Sequence, residues 1–300
     1  MLTKDQLRKT ENWLYANARP LEVAKWNFLF GRASLNDVTA ALLKYQNPDG
    51  GFGHGLEADM TTPDSSAVCS AAALSTAKEY GLSLGADWVK RMLSWFERTA
   101  QDSPSFWQAV PKSVEDYPHM SWWGYEPDSK FSPNPCAEIA SALLCGTASQ
   151  RVLGERAAAR CVEYLLEEAD NWMHNTYCLQ SLVLALADLG SPLLTPEATA
   201  AMDRRITGGV CLDQNKWTDY EAQPLDFVHS PGSRWYGLLA REIPANLDYW
   251  ERTVTDDGIW QPNWDYGIEN DFSRAATKTW TGYIAVSRVK ILKAFGRAEG

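Results

Sequence analysis

The chain of 300 residues has no apolar run approaching the ~20 residues that cross a bilayer, so no transmembrane helix is expected. Its first residues, Met1-Leu2-Thr3-Lys4-Asp5, lead straight into a polar amphipathic pattern. An apolar secretory core and an Arg-rich transit segment are both missing there, which points to the cytoplasm. Cysteine is sparse: six residues (Cys69, Cys136, Cys145, Cys161, Cys178, Cys211) without a C-x-x-C, a pattern of reduced thiols and not of a disulfide frame or zinc knuckle. Bases are outnumbered, 28 Lys and Arg against 38 Asp and Glu. Phosphate backbones need clustered cations, so nucleic acid is disfavoured as a partner. Strand signals are few. Only 106–110 and 120–123 read as strands, and they are expected to pair as a small β-hairpin inside the 101–133 loop. What the chain has in quantity is tryptophan, fourteen of them, and helical periodicity.

The helical signals come in pairs. Segments 3–18 and 21–30, 34–45 and 64–80, 87–99 and 135–146, 151–168 and 174–189, 196–207 and 231–242, and 245–253 and 273–295 carry apolar residues at helical spacing with polar starts and Gly stops. Pro20, Pro135, Pro196, Pro231 and Pro244 fall near helix starts, where a missing N–H costs nothing. The expected class is all-α, with six helical hairpins forming a single (α/α)6 barrel, or toroid, over 1–300. Connections between pairs are short and Gly/Pro-marked, whereas those within pairs are long, at 46–63, 101–133, 208–230 and 254–273. In a closed ring of hairpins these long loops share one rim, the place where function concentrates.

Two of the loops are alike. Gln46-Asn47-Pro48-Asp49-Gly50-Gly51-Phe52 and Thr255-Asp256-Asp257-Gly258-Ile259-Trp260 both place Asp-Gly-x-aromatic after an outer helix and before an inner one. Asp-Gly supplies a tight turn with φ > 0 at Gly, so Asp49 and Asp257 are read as turn formers. Gln46-x3-Gly50-x-Phe52 followed by an Ala-rich helix resembles the repeat of the terpenoid cyclase and protein prenyltransferase superfamily of α/α toroids. The second copy has Val254 where Gln would stand, with Gly258 and Trp260 matching. The resemblance implies the toroid fold. It does not carry the reaction over: the Asp-x-Asp-Asp of the class II cyclases does not occur, and Cys211-x-Asp213 reverses the order of the prenyltransferase zinc pair.

The long loops hold most of the acidity. Together with 169–173 they carry eighteen Asp and Glu against Lys112, Lys130 and Lys216 and no Arg, for a net −15, while the remainder of the chain is +5. Such a mouth repels diphosphate unless a divalent metal bridges it, which leaves a metal as one open alternative. Within it, Gly53-His54-Gly55-Leu56-Glu57-Ala58-Asp59 groups His54, Glu57 and Asp59, and Asp226 with His229 forms a second acid/His pair. All five are candidates for acid/base work, because an imidazole titrates near neutrality and a carboxyl held among aromatic rings is raised by desolvation. His119 and His174 are placed toward the same rim, and Asp64 reads as the N-cap of the helix that follows. Trp123, Trp235, Trp264, Asp265 and Trp280 are the candidate substrate-binding residues, as platforms for a sugar or stabilisers of a cation.

Three readings follow. The first is an enzyme similar to the cyclases and prenyltransferases, acting on an isoprenoid-like or other small hydrophobic molecule in a deep, apolar, closed-bottom cavity. The second is a carbohydrate-active (α/α)6 barrel binding a sugar in the mouth, with two carboxylates about 5–5.5 or about 6.5–9.5 Å apart. The third is a non-catalytic scaffold whose acidic rim holds a basic partner.

Overall fold

The computed structural model describes residues 1–102, 105–167 and 172–299. Among them there is no strand, and the regular structure is helical: α1 Lys4–Asn17, α2 Pro20–Leu29, α3 Leu35–Leu42, α4 Ala67–Tyr80, α5 Asp87–Thr99, α6 Pro133–Leu143, α7 Ala148–Glu167, α8 Met173–Asp188, α9 Pro196–Gly209, α10 Pro224–Phe227, α11 Tyr236–Leu239, α12 Ile243–Thr253 and α13 Asp271–Ala294. No described helix is long and apolar enough to cross a membrane. The helices start where short polar side chains can occupy orphan N–H groups. Thr3 and Gln6 close a capping box on α1, Asn270 and Ser273 on α13, and Pro20 and Pro133 open α2 and α6. Ser66, not Asp64, caps α4, accepting from the Cys69 N–H at 3.1 Å. Asp64 instead bonds the Ser113 hydroxyl.

Two compact units divide the chain, one of residues 43–209 and one of 1–42 with 210–300. In the first, α4, α6 and α8 pack side by side, α5, α7 and α9 follow one another, and α6–α7 and α8–α9 contacts join the two rows. Burial sorts the rows. Ten of the fourteen residues of α4 and ten of the eleven of α6 are buried, against six of thirteen in α5, so α4 and α6 are enclosed on nearly all sides and α5 is amphipathic. Ala67, Ala71, Ala73 and Ala77 on α4, with Ala137 and Ala140 on α6, keep these helices thin. One polar link crosses the row: Lys78 on α4 pairs with Glu138 at 2.6 Å and donates to Ser141 at 2.5 Å on α6 and to Ser181 at 2.7 Å on α8. Beside it Cys136, Cys161 and Cys178 stay free, and burial pushes the Cys161 and Cys178 thiols up, so they pack as small hydrophobes.

In the other unit α13 packs on α1 and α2, α2 packs on α3, and α10 packs on α12. Leu2 and Ala298 form a parallel bridge, and Arg297 reaches Glu251 at 2.6 Å and also bonds Asp248.

Two expectations are corrected. The 231–242 helix contracts to the four residues of α11: Gly232 and Gly237 each cost about 1 kcal/mol relative to Ala in a helix, and Pro231 starts none. The β-hairpin of 106–110 with 120–123 does not form. Phe106 adopts φ +60° and the Trp107 indole is buried on α5, donating to the Phe96 carbonyl at 2.8 Å. Burying that indole is worth about 1.5–3 kcal/mol, whereas a lone two-stranded hairpin is marginal in water. Residues 118–120 pair instead with the 59–61 segment, through Met120 N–H to Asp59 at 2.9 Å and Thr61 N–H to Pro118 at 3.0 Å.

The repeat seen in sequence is a repeat in geometry. Asn47 N–H bonds Gly51 O at 2.8 Å and Gly50 N–H bonds Asn47 O at 3.0 Å; Thr255 N–H bonds Ile259 O at 2.9 Å and Gly258 N–H bonds Thr255 O at 2.9 Å. Asp49 accepts from Gly51 N–H and Ser65 Oγ, a turn former as expected. Both glycines hold positive φ, +100° and +78°, and both press on a helix: a Cβ on Gly50 would lie 2.5 Å from the Arg91 carbonyl of α5, and one on Gly258 2.6 Å from the Thr10 nitrogen of α1. Phe52 and Trp260 are then carried into the core as wedges, 0% and 2% exposed.

Candidate functional site

In the unit of residues 43–209, the loop before α4 organises His54, Glu57 and Asp59 largely for its own architecture. His54 is exposed, sits at φ +54° and bonds Asn47 Oδ1 through Nε2 at 2.8 Å. Glu57 takes the Asp59 N–H on Oε1 at 3.3 Å, while its own N–H faces the Cys69 sulfur. Asp59 is 6% exposed. His119 comes alongside through the Met60–His119 bridge, with Nδ1–H donating to Tyr117 O at 2.8 Å. Among the described residues, no three His, Cys, Asp or Glu side chains converge on one point as metal ligands would. Trp123 lies on a 3-10 turn, half-buried, and its indole N–H is buried without an acceptor among the described residues. His174 opens α8 against Trp172 and Tyr177, and burial lowers its pKa. The 169–173 turn lies largely outside the described residues.

The unit of 1–42 and 210–300 builds a more chemically pointed arrangement. A buried polar network fixes its frame: Gln223 Oε1 accepts from Asn246 Nδ2 at 2.8 Å and from Trp250 Nε1 at 2.7 Å, Gln223 Nε2 donates to Trp217 O at 3.0 Å, and Asn246 Oδ1 accepts from Leu225 N–H at 2.9 Å. With every one of these groups paired, the 223–227 turn is held on α12 in one position. Asp226 projects from that turn, accepting from Gln223 N–H on Oδ2 at 2.7 Å. His229 donates through Nε2–H to the Asp226 carbonyl at 3.1 Å, which leaves Nδ1 as the accepting nitrogen of the neutral ring.

The third member is Arg288 on α13, its guanidinium 4.7 Å from the Trp250 ring centroid and 5.6 Å from that of Trp260. Asp226 and Arg288 are both half-buried. Burial raises the Asp226 carboxyl above its ordinary range, against the opposing pull of Gln223 N–H, Arg288 and His229. Burial likewise lowers Arg288 to about 10, against the charges of Asp226 and Tyr249. A carboxyl that desolvation makes more reluctant to ionise, next to an imidazole, is suited to proton donation.

The same unit carries an open cleft of about 790 Å³ between α1, the 254–270 loop and α13. Trp13, Trp264 and Tyr266 give it aromatic faces, Asn17, Gln261, Ser273, Thr277 and Thr281 hydrogen-bonding groups, and Asp265 and Glu269 face it with Arg274 and Lys278. Its charges balance because α13 supplies the bases, which differs from a uniformly acidic mouth. Trp264 stands edge-on to Trp280 at 5.6 Å and 82° and to Tyr220 at 5.6 Å and 66°. Trp280, itself perpendicular to Tyr283 at 5.5 Å, supports Trp264 from behind. Asp265 spends Oδ1 on the Gly267 N–H at 2.6 Å, as a turn former. Trp235, at 3% exposure, is buried at the N-cap position of the short α11.

Gln223, Asn246 and Arg288 were not singled out from sequence. For Arg288 a signal existed, since Arg274, Thr281 and Arg288 recur at intervals of seven, one stripe of a helix. Compared with protein-family models, curated proteins and solved structures, the chain matches none.

Proposed function

We propose that this protein is a six-hairpin α/α toroid that works as an enzyme on a saccharide, with Asp226 as proton donor, His229 as its partner and Trp264 as the stacking platform. The observation that carries this reading is the composition of the cleft, where aromatic faces alternate with amide and hydroxyl groups in an open, charge-balanced trough. Sugars present apolar C–H faces and a periphery of hydroxyls, and such a lining answers both. An isoprenoid would be served by a closed apolar pocket. For the ring itself, support comes from the two glycine turns. The turn after α3 rests on α5, and the turn after α12 rests on α1, as they do when the last outer helix of a ring is followed by the first.

A panel of oligosaccharides titrated by calorimetry tests the reading. Binding in the micromolar-to-millimolar range is expected, with Trp264→Ala weakening it by about 1–2 kcal/mol, and Asp226→Asn abolishing turnover while leaving binding in place. Saccharide affinity untouched by Trp264→Ala would refute it. A second reading, a hydrophobic substrate protonated as in the resembling cyclases, draws on the raised Asp226 carboxyl and the Trp250 and Trp260 rings beside Arg288. Selective retention of a prenyl alcohol over a sugar would favour it.

A further inference from the structure

Arg288 is the most conspicuous group left over once the proton donor and the platform are assigned. Its half-buried guanidinium lies over two indoles, and among the described residues it makes no hydrogen bond and no direct ion pair. Asp226 is near enough to be felt electrostatically and still does not pair with it. A guanidinium that has given up much of its hydration and has no acceptor is costly unless something completes it. Its central carbon lies 4.7 and 5.6 Å from the Trp250 and Trp260 ring centroids, and its N–H groups have no protein acceptor among the described residues.

We propose that Arg288 binds the carboxylate of the substrate, so that the saccharide taken by this protein is an acidic sugar. The inference rests on the saccharide reading above and names the class within it. A planar carboxylate matches the fork of a guanidinium edge through two parallel hydrogen bonds. Phosphate matches the site less well, because a single Arg offers only one positive charge and one donor fork to a dianion with three terminal oxygens. The same carboxylate is compatible with Asp226 in its acid form, whose O–H is a donor. Arg288 also shares an α13 stripe with Arg274 and Thr281, which line the aromatic cleft, and lies seven residues, about 10 Å, beyond Thr281. A sugar ring on the platform and a carboxylate on Arg288 thus use the same helix.

Glucuronate, glucose, propionate and inorganic phosphate titrated into the full-length protein test this. Glucuronate is expected to bind at least about tenfold more tightly than glucose or phosphate. Arg288→Met keeps an aliphatic stem over the indoles and should remove that preference while glucose affinity stays the same. Asp226→Asn should keep the preference, since it leaves the Arg288 donors in place. Should Arg288→Met fail to fold, judged by near-UV circular dichroism, the wild-type protein supplies the readout: the Arg288 Nε–H resonance should shift on adding glucuronate and stay in place with glucose. Equal affinity for glucuronate and glucose, a preference that survives Arg288→Met, or tighter binding of phosphate would overturn the inference. Failure of this inference is distinguishable from failure of the saccharide reading. Lost acid preference with Trp264-dependent binding of neutral sugars retained defeats Arg288 alone. Propionate binding as well as glucuronate, with no sugar bound through Trp264, defeats the saccharide and leaves Arg288 a carboxylate site.

Discussion

Between the ordinary carboxyl value of 3.8 and its higher folded value, Asp226 keeps a proton that the unfolded chain would have released, because burial raises it. The stability it contributes is complete below 3.8 and is lost as pH rises through the folded value, where ionising the desolvated carboxyl becomes a cost. Asp226→Asn keeps an oxygen for the Gln223 N–H and carries no charge. Its melting temperature is therefore expected to equal the wild type below pH 3.8 and to match or exceed it at neutral pH, read by calorimetry across the range. A mutant markedly less stable at neutral pH would show that the ionised carboxylate is the structural form. Asp226 and His229 are legible in sequence because three residues separate them on one turn. Arg288 is about sixty residues away, and only the packing of α13 brings it there. Asp49 and Asp265 were equally visible as acids, and their carboxylates serve Gly51 and Gly267 N–H groups in turns.

At the scale of elements, the glycine turns bear most directly on the fold. Gly50→Ala and Gly258→Ala each combine a positive φ with a Cβ inside 2.6 Å of a backbone atom of the facing helix. Each is expected to cost about 2–3 kcal/mol in chemical denaturation, whereas Gly190→Ala, at φ +59° with open space, should cost less. Equal effects at all three would mean that the contacts with α5 and α1 contribute nothing. Helix boundaries were readable where a cap and an apolar stripe agreed, as in α1, whereas at α4 the cap is Ser66 and not Asp64. They failed at 231–242, where Gly232 precedes and Gly237 interrupts the stripe of Trp235, Leu238 and Leu239. The 106–110 segment failed for another reason: its alternation is genuine, but Phe106 and Trp107 are used against α5, a partner that local pattern does not name.

For the whole molecule, the proposed ring makes a prediction about cooperativity. Six hairpins closed on themselves leave no terminal repeat free to fray, so calorimetry is expected to give one transition with equal calorimetric and van't Hoff enthalpies. Two separated transitions, one for 43–209 and one for the remainder, would count against closure.

The helical class and the Asp-Gly turns are properties of short stretches, and short-range spacing, capping and φ requirements decide them; the sequence by itself determined these. That Asp265 is spent in a turn, that Asp226 is desolvated, which tryptophan is buried and which is presented, and that Arg288 lies over two indoles were decided by tertiary structure alone. Desolvation depends on everything that surrounds a group, and those surroundings come from residues far apart in the chain.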